Sequence, residues 1–278
     1  MTFPLEDEFG DIVQKARDRR PWSQAELARE TGLSSSVVMR IENCDLIPDA
    51  VDIAKIAKAL DLHEPSLQAI ANGKWEPEKQ PELCGDFEVV CLQVFMGSYP
   101  VKCYLLICKK TRMTAIVDTG GNPKEIINAA KQWGVTPGMV LLTHTHPDHA
   151  GGLNVLLKQW PLKVYVGKKE PRSGMSGSPH YVEDGEKIQL GALTVEAIQT
   201  PGHTPGGVSY RLGSVVFSGD CIFAGSMGRA NTSWSALYQS VSQRLLAFPN
   251  ETRLLPGHGP ATTVGEEKLH NPFFFYKK

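Results

Sequence analysis

The chain has 278 residues, 41% of them hydrophobic and 21% charged, with a formal net charge of −1. That composition supports one large core or two unequal ones, and the charge balance excludes a general attraction to nucleic acid or to an anionic membrane. No apolar run approaches the roughly 18 residues of a membrane span. The acidic start MTFPLEDEFG lacks the positive region of a secretory signal, so the reading is cytoplasmic, with no membrane partner. The six cysteines, Cys44, Cys84, Cys91, Cys103, Cys108 and Cys221, form no CxxC pair and read as reduced thiols.

In chain order, residues 9–72 read as helix, with Ser, Asp or Pro at the expected helix starts. Ser23 opens one helix, Gly32 a turn, and a second helix begins near Ser34; Ala25, Leu27, Ala28, Val38 and Ile41 would pack the pair together. The stretch SQAELARETGLSSSVVMRIEN and the later KIAKAL resemble the phage-repressor or Cro-type helix-turn-helix family. That resemblance implies that Ser35, Ser36 and Arg40 face bases, that Gln24 touches phosphate, and that the protein is a homodimer. Charge argues the other way. Residues 1–75 carry nine Lys and Arg against thirteen Asp and Glu, a net of −4, where DNA binders usually show a basic footprint. Protein contact or dimerisation is the alternative role for this unit.

GKWEPEKQPELCG, residues 73–85, is polar, proline-containing and aperiodic, and reads as a linker, placed at 76–84 between units 1–75 and 85–278. The linker predicts a C-terminal unit that folds and works without the first 75 residues. Strand-like runs follow: FEVVCLQVF, VKCYLLICKK, MTAIVDTGG and, after the helical PKEIINAAKQWG, MVLLTHTH. LKVYVG, EKIQLGALTVEAIQT, VSYRLGSVVFSGD and, after the helical SALYQSVSQRLLAF, TRLLPGHG complete the series. This order points to an α+β class, packed sheets covered by helices.

The chemistry gathers where strands end. In THTHPDHAGG, His144 and His146 project to one side of an extended loop, and Asp148 and His149 sit on the first helical turn beyond it. Three imidazoles and a carboxylate in one loop suit a borderline divalent metal such as Zn²⁺; nitrogen and oxygen donors also accommodate iron and manganese. His203, Asp220 and His258 each follow a later strand-like run beside glycines. His63, His180 and His270 lack such a setting and read as structural.

These seven residues, in this order, resemble the metal-binding set of the metallo-β-lactamase superfamily. The resemblance implies an αβ/βα sandwich over residues 85–278, with His144, His146 and His203 on a first metal, Asp148, His149 and His258 on a second, and Asp220 bridging. Asp118 matches an early aspartate of the family that supports ligands rather than binding metal. Cys221 adjoins Asp220 but points the opposite way in an extended segment, which makes it a poor substitute ligand. TPGHTPG, GDCIFAGSMGR and PGHGP followed by HNPF are similar to the glyoxalase II branch. The implied reaction is metal-assisted hydrolysis of a small thioester or ester, with Asp148 orienting the attacking water and Arg229 holding substrate. Asn231 and Pro260 stand where that branch uses tyrosines. The alternatives are a transcription regulator that senses a metabolite or metal, and a single-iron persulfide dioxygenase of similar fold.

Overall fold

The computed structural model describes residues 3–172 and 175–275. Its first part is helical: α1 (Phe9–Asp18), α2 (Gln24–Thr31), α3 (Ser35–Glu42), α4 (Ala50–Leu60) and α5 (Glu64–Ala71). The helix starts follow from capping chemistry. Ser23 accepts from the Glu26 amide while the Glu26 carboxylate accepts from the Ser23 amide, and Ser34 accepts from the Val37 amide at 3.3 Å. Gly32, at φ 72°, ends α2 in the left-handed region. Leu27, Ala28, Val38 and Ile41 are buried as read, whereas Ala25 faces solvent.

The remainder is a sandwich of two six-stranded sheets. The first holds β1 (Phe87–Met96), β2 (Tyr99–Cys108), β3 (Thr114–Val117), β4 (Pro137–Leu141), β5 (Lys163–Gly167) and β6 (His180–Val182), in that order. Helix α6 (Lys124–Gln132) connects β3 to β4, and α7 (Pro147–Ala150) and α8 (Leu153–Gln159) lie between β4 and β5. The second sheet contains β7 (Lys187–Leu190), β8 (Leu193–Gln199), β9 (Val208–Leu212) and β10 (Val215–Gly219). A small ribbon, β11 (Ile222–Phe223) and β12 (Ser226–Met227), and α9 (Trp234–Gln239), prolonged by wider turns over Ser240–Leu245, come next. Strands β13 (Arg253–Pro256) and β14 (Thr262–Thr263) return to the second sheet, and α10 (Val264–His270) is the last helix among the described residues. The second sheet's order is β14-β13-β10-β9-β8-β7.

Alternation along each strand sorts side chains between layers. Strand β2 sends Tyr104, Leu106 and Cys108 into the core between the sheets, and Leu105 and Ile107 to the outer face, into one cluster with Ile126, Ala130, Leu153 and Leu156. Strand β10 likewise turns Val215 and Phe217 inward and Val216 outward.

The outer face of the second sheet is where the sequence reading needs correction. Val216, Ile222, Met227, Leu237, Val241 and Leu245 share a single apolar cluster with Phe9, Ile12, Leu27, Ile56, Leu67 and Ile70 of the helical part. The 76–84 segment has no regular secondary structure, but it is a strap rather than a spacer. Just before it Trp75 packs on the shared cluster, within it Leu83 packs on the inter-sheet core, and the Glu78 amide donates to Glu266. The His63 amide donates to Pro272 O at 2.9 Å, and the His63 ring stacks on Phe275 with centroids 3.4 Å apart. Proline and charge hid these anchors because they interrupt any periodic pattern.

A truncated chain starting at residue 80 would re-expose that face, at about 1.5–3 kcal/mol per fully buried large apolar side chain, against a total stability of about 5–15 kcal/mol. It is expected to precipitate or to melt about 10 °C or more below the full chain. A calorimetric scan giving equal melting temperatures would show that the cluster does not unite the parts.

Candidate metal centre

Four strand ends meet at one edge of the sandwich. Strand β4 leads into Thr143 and the histidine loop, where His146 occupies the N-cap of α7 and Pro147 the position where a missing amide donor costs nothing. His203 follows β8, Asp220 follows β10 and His258 follows β13. The glycines here are required by space: a Cβ on Gly257 would lie 2.5 Å from Asp220 Oδ1 and from His149, and one on Gly228 would collide with Asp220 O.

The structure brings all seven candidate ligands together. His144, His146 and His203 offer nitrogens within 4.8 Å of one another, as do the ligand atoms of His144, His149 and Asp220 and those of Asp148, His149 and His258. His146 Nδ1 lies 3.1 Å from both His144 Nε2 and His203 Nε2, and His149 Nε2 lies 3.3 Å from His258 Nε2. Asp220 stands between the groups, 3.2 Å from His149 Nε2 and 3.6 Å from the Nε2 atoms of His203 and His258. Asp148 Oδ2 is 3.4 Å from His258 Nε2.

The opposite nitrogens are tied to oxygen acceptors. His149 Nδ1 meets Asp118 at 2.8 Å, His203 Nδ1 meets Arg229 O at 2.8 Å, His258 Nδ1 meets Pro100 O at 2.9 Å, and His144 Nδ1 meets Thr143 Oγ1 at 3.1 Å. Donating outward leaves each inner nitrogen with a lone pair directed at the shared space. Asp220 Oδ1 is buried with no well-aligned donor. Converging lone pairs and an orphaned carboxylate oxygen are what a cation pair would satisfy, so the donor set fits two divalent metals.

Electrostatics agree with that chemistry. Burial holds His144 well below the ordinary imidazole pKa and depresses His203 as well. Burial also works against charge on His149 and His258, but Asp220 outweighs it, with Asp118 or Asp148 assisting, and both are raised. Burial opposes ionisation of Asp220 too, yet His149 and His258 bring it well below the usual carboxylate range. The pocket therefore demands positive charge, from protons or from metal. Burial pushes the Cys221 thiol up to about 12, and its sulfur belongs to none of the three clusters of candidate ligand atoms.

Other candidates are placed less centrally. The Arg229 guanidinium is held by Gln14 and by Asp18 (3.3 Å), both on α1, while its carbonyl supports His203. Ser35, Ser36 and Arg40 are exposed on α3; Gln24 is half-buried and donates to Glu42 at 2.9 Å. Sequence reasoning missed Glu170. This buried carboxylate accepts from Thr145 N and Thr145 Oγ1 (both 2.8 Å) and from Gly206 N (3.0 Å), clamping two ligand loops together. GKKEP carried no signal for that role. Thr143 was also missed; its amide and hydroxyl both donate to Asp118.

Residues 96–258 match the metallo-beta-lactamase superfamily. The chain belongs to that superfamily. Residues 8–70 match a helix-turn-helix domain. Among curated relatives, the probable metallo-hydrolase YqgX of Bacillus subtilis is 33% identical over 200 residues, covering 64% of this chain and 94% of YqgX. The hydroxyacylglutathione hydrolase GloC of Haemophilus influenzae is 27% identical, covering 60% of this chain and 90% of GloC. Among solved structures, the di-iron-bound form of TTHA1623 superposes with a TM-score of 0.58 at 31% identity, covering 66% of this chain and 99% of that one. This metallo-β-lactamase member is thus of the metal-dependent hydrolase type, with a helix-turn-helix domain ahead of its sandwich; no helix among the described residues is long and apolar enough to cross a membrane.

Asp118 touches His149 and both donors of Thr143 but no other ligand. Asp118→Asn is expected to weaken metal binding by roughly 10–100-fold, the usual cost of losing an orienting partner. Titration of the metal-loaded protein with a chromogenic chelator measures this, and an unchanged affinity would remove Asp118 from the support of the site.

Proposed function

We propose that the chain is a binuclear metal-dependent hydrolase acting on a small thioester or ester, of the hydroxyacylglutathione hydrolase type, and that its helix-turn-helix domain binds DNA. The observation that carries the first half is Asp220, a carboxylate set between two ligand triads. The name and 27% identity of GloC add support. Metal-binding roles fall to His144, His146 and His203 on one side and to Asp148, His149 and His258 on the other, with Asp220 shared and zinc the favoured occupant. When bound, a divalent pair lowers the pKa of water toward neutrality and polarises an acyl carbonyl.

The chain's own groups do the rest. Burial works against charge on the Asp148 carboxylate, but the neighbouring His258 and His149 hold its pKa below the ordinary value, so it is ionised at neutral pH. Being partly exposed, at 22% of its side chain, it can accept a proton from water and orient the oxygen toward the acyl carbon. Neither serine nor cysteine is needed as nucleophile. Arg229 would meet an anionic part of the substrate, for which its contact with Asp18 must open. A single-metal persulfide dioxygenase would leave the Asp148–His149–His258 group without a ligand duty, which favours the hydrolase reading.

Assay of metal-loaded protein on thioesters, lactones and phosphodiesters tests this directly, with thioester turnover expected to dominate. Asp148→Asn should lower turnover by about 10²-fold or more while leaving the fold intact; full activity with a lone equivalent of metal would overturn the binuclear reading.

For DNA, the exposed Ser35, Ser36 and Arg40 support a reading face, and Gln24 stands at the start of α2 for phosphate. A homodimer would present two such faces. Helix α1 also favours a sensing role, because Arg17 pairs with Glu42 of α3 while Gln14 and Asp18 hold Arg229 beside the metal centre. After selection of a binding sequence from random DNA, Arg40→Ala is expected to cost about 1–3 kcal/mol at one base position. Uniform loss across sequences would reassign Arg40 to phosphate, and no selected sequence would leave the domain a protein-contact module.

A further inference from the structure

Away from the metal centre, a cavity of about 420 Å³ opens where the N-terminal segment, the 76–84 strap and the sandwich meet. Its volume lies within the roughly 300–1,000 Å³ typical of small-molecule sites. Phe3, Leu83, Val89 and Leu255 contribute apolar wall, and Lys102 and Arg253 contribute charge.

Lys102 is the decisive residue. It is only 4% exposed, and no carboxylate among the described residues lies within ion-pairing distance. Its ammonium donates to Gly259 O and sits 3.9 Å from the centre of the Phe3 ring; Glu6 supplies only a longer-range attraction. A carbonyl dipole and an aromatic face compensate a buried charge incompletely, and an anion would do so better. Arg253 is also without a carboxylate partner among the described residues, donating to Pro81 O at 2.7 Å. The strap residues Glu76, Glu78 and Lys79 are exposed to water, where their charge is screened.

We propose that this cavity is a second ligand site, distinct from the metal centre, for a small carboxylate with an apolar body, its head group on Lys102 and Arg253 and its chain against Phe3, Leu83 and Val89. The site borders the catalytic edge without sharing a ligand with it: the Lys102 amide donates to Gly257 O at 2.7 Å, next to His258.

Calorimetric titration of the full-length, metal-loaded protein with decanoate and with decanol tests the assignment. One decanoate per chain is expected, with decanol about tenfold weaker or more, because only the carboxylate compensates the buried ammonium. Lys102→Met should lower decanoate affinity about tenfold, and Arg253→Gln, on a more exposed side chain, should lower it less. Val89→Trp, which fills the cavity and leaves Lys102 in place, should also abolish binding and serves if Lys102→Met fails to fold. Equal affinity for decanol, or no saturable heat, would overturn the site. So would binding lost in Asp220→Asn but kept in Lys102→Met, because the carboxylate would then lie on the metals.

Discussion

Five imidazoles and two carboxylates crowd into one small space, most of them buried, and Asp220 Oδ1, turned into that space, has no hydrogen-bond donor. A site of this kind is tolerable only if the surrounding fold leaves no freedom for the rings to turn away. The constraint is met from outside. Asp118, Arg229 O, Pro100 O and Thr143 each hold the far nitrogen of one ligand, and Glu170 ties the loop before α7 to the loop after β8. Glycine at 228 and 257 then lets the backbone close to distances at which any side chain would collide. The sandwich serves this edge: parallel pairing of β10 with β13 brings Asp220 and His258 forward together, and β4 delivers the histidine loop beside them.

How much of this was legible in the sequence depends on the range of the interaction. The helix starts at Ser23 and Ser34 and the turn at Gly32 were legible because capping is local, settled within three residues. The seven candidate ligands, which the fold brings together, could be singled out because metal chemistry demands particular residue types at strand ends. Glu170 and Thr143 were not, since their roles exist only once loops far apart in the chain are brought together. The strap was misread for a related reason. A lone tryptophan and a lone leucine among prolines and charges form no pattern, yet Trp75 and Leu83 anchor the segment on two different apolar clusters.

Helix α1 shows how the two parts are joined. Gly10 packs against Ile41 O of α3 so closely that a Cβ would lie 2.0 Å from it, and Arg17 grips Glu42. Toward the sandwich, Lys15 forms a buried pair with Asp7 and donates to Met227 O, and Gln14 and Asp18 take Arg229. Ion pairs that are buried and also hydrogen-bonded to backbone are costly to break, so α1 has little freedom to shift relative to either neighbour. Through Arg229 on one side and Ile41 and Glu42 of α3 on the other, α1 touches both the loop that supports His203 and the helix that carries Arg40.

The apolar cluster that spans the two parts also sets a timetable for synthesis. Phe9, Ile12, Leu67 and Ile70 leave the ribosome early, but Leu237, Val241, Leu245 and Phe273, which complete their surroundings, lie far down the chain. At about 5–20 residues per second, nearly 200 residues of intervening chain correspond to roughly 10–40 s during which a folded helical unit shows an uncovered apolar side to its surroundings. During that interval the apolar face is open to aggregation, and the arrival of Leu237, Val241, Leu245 and Phe273 closes it.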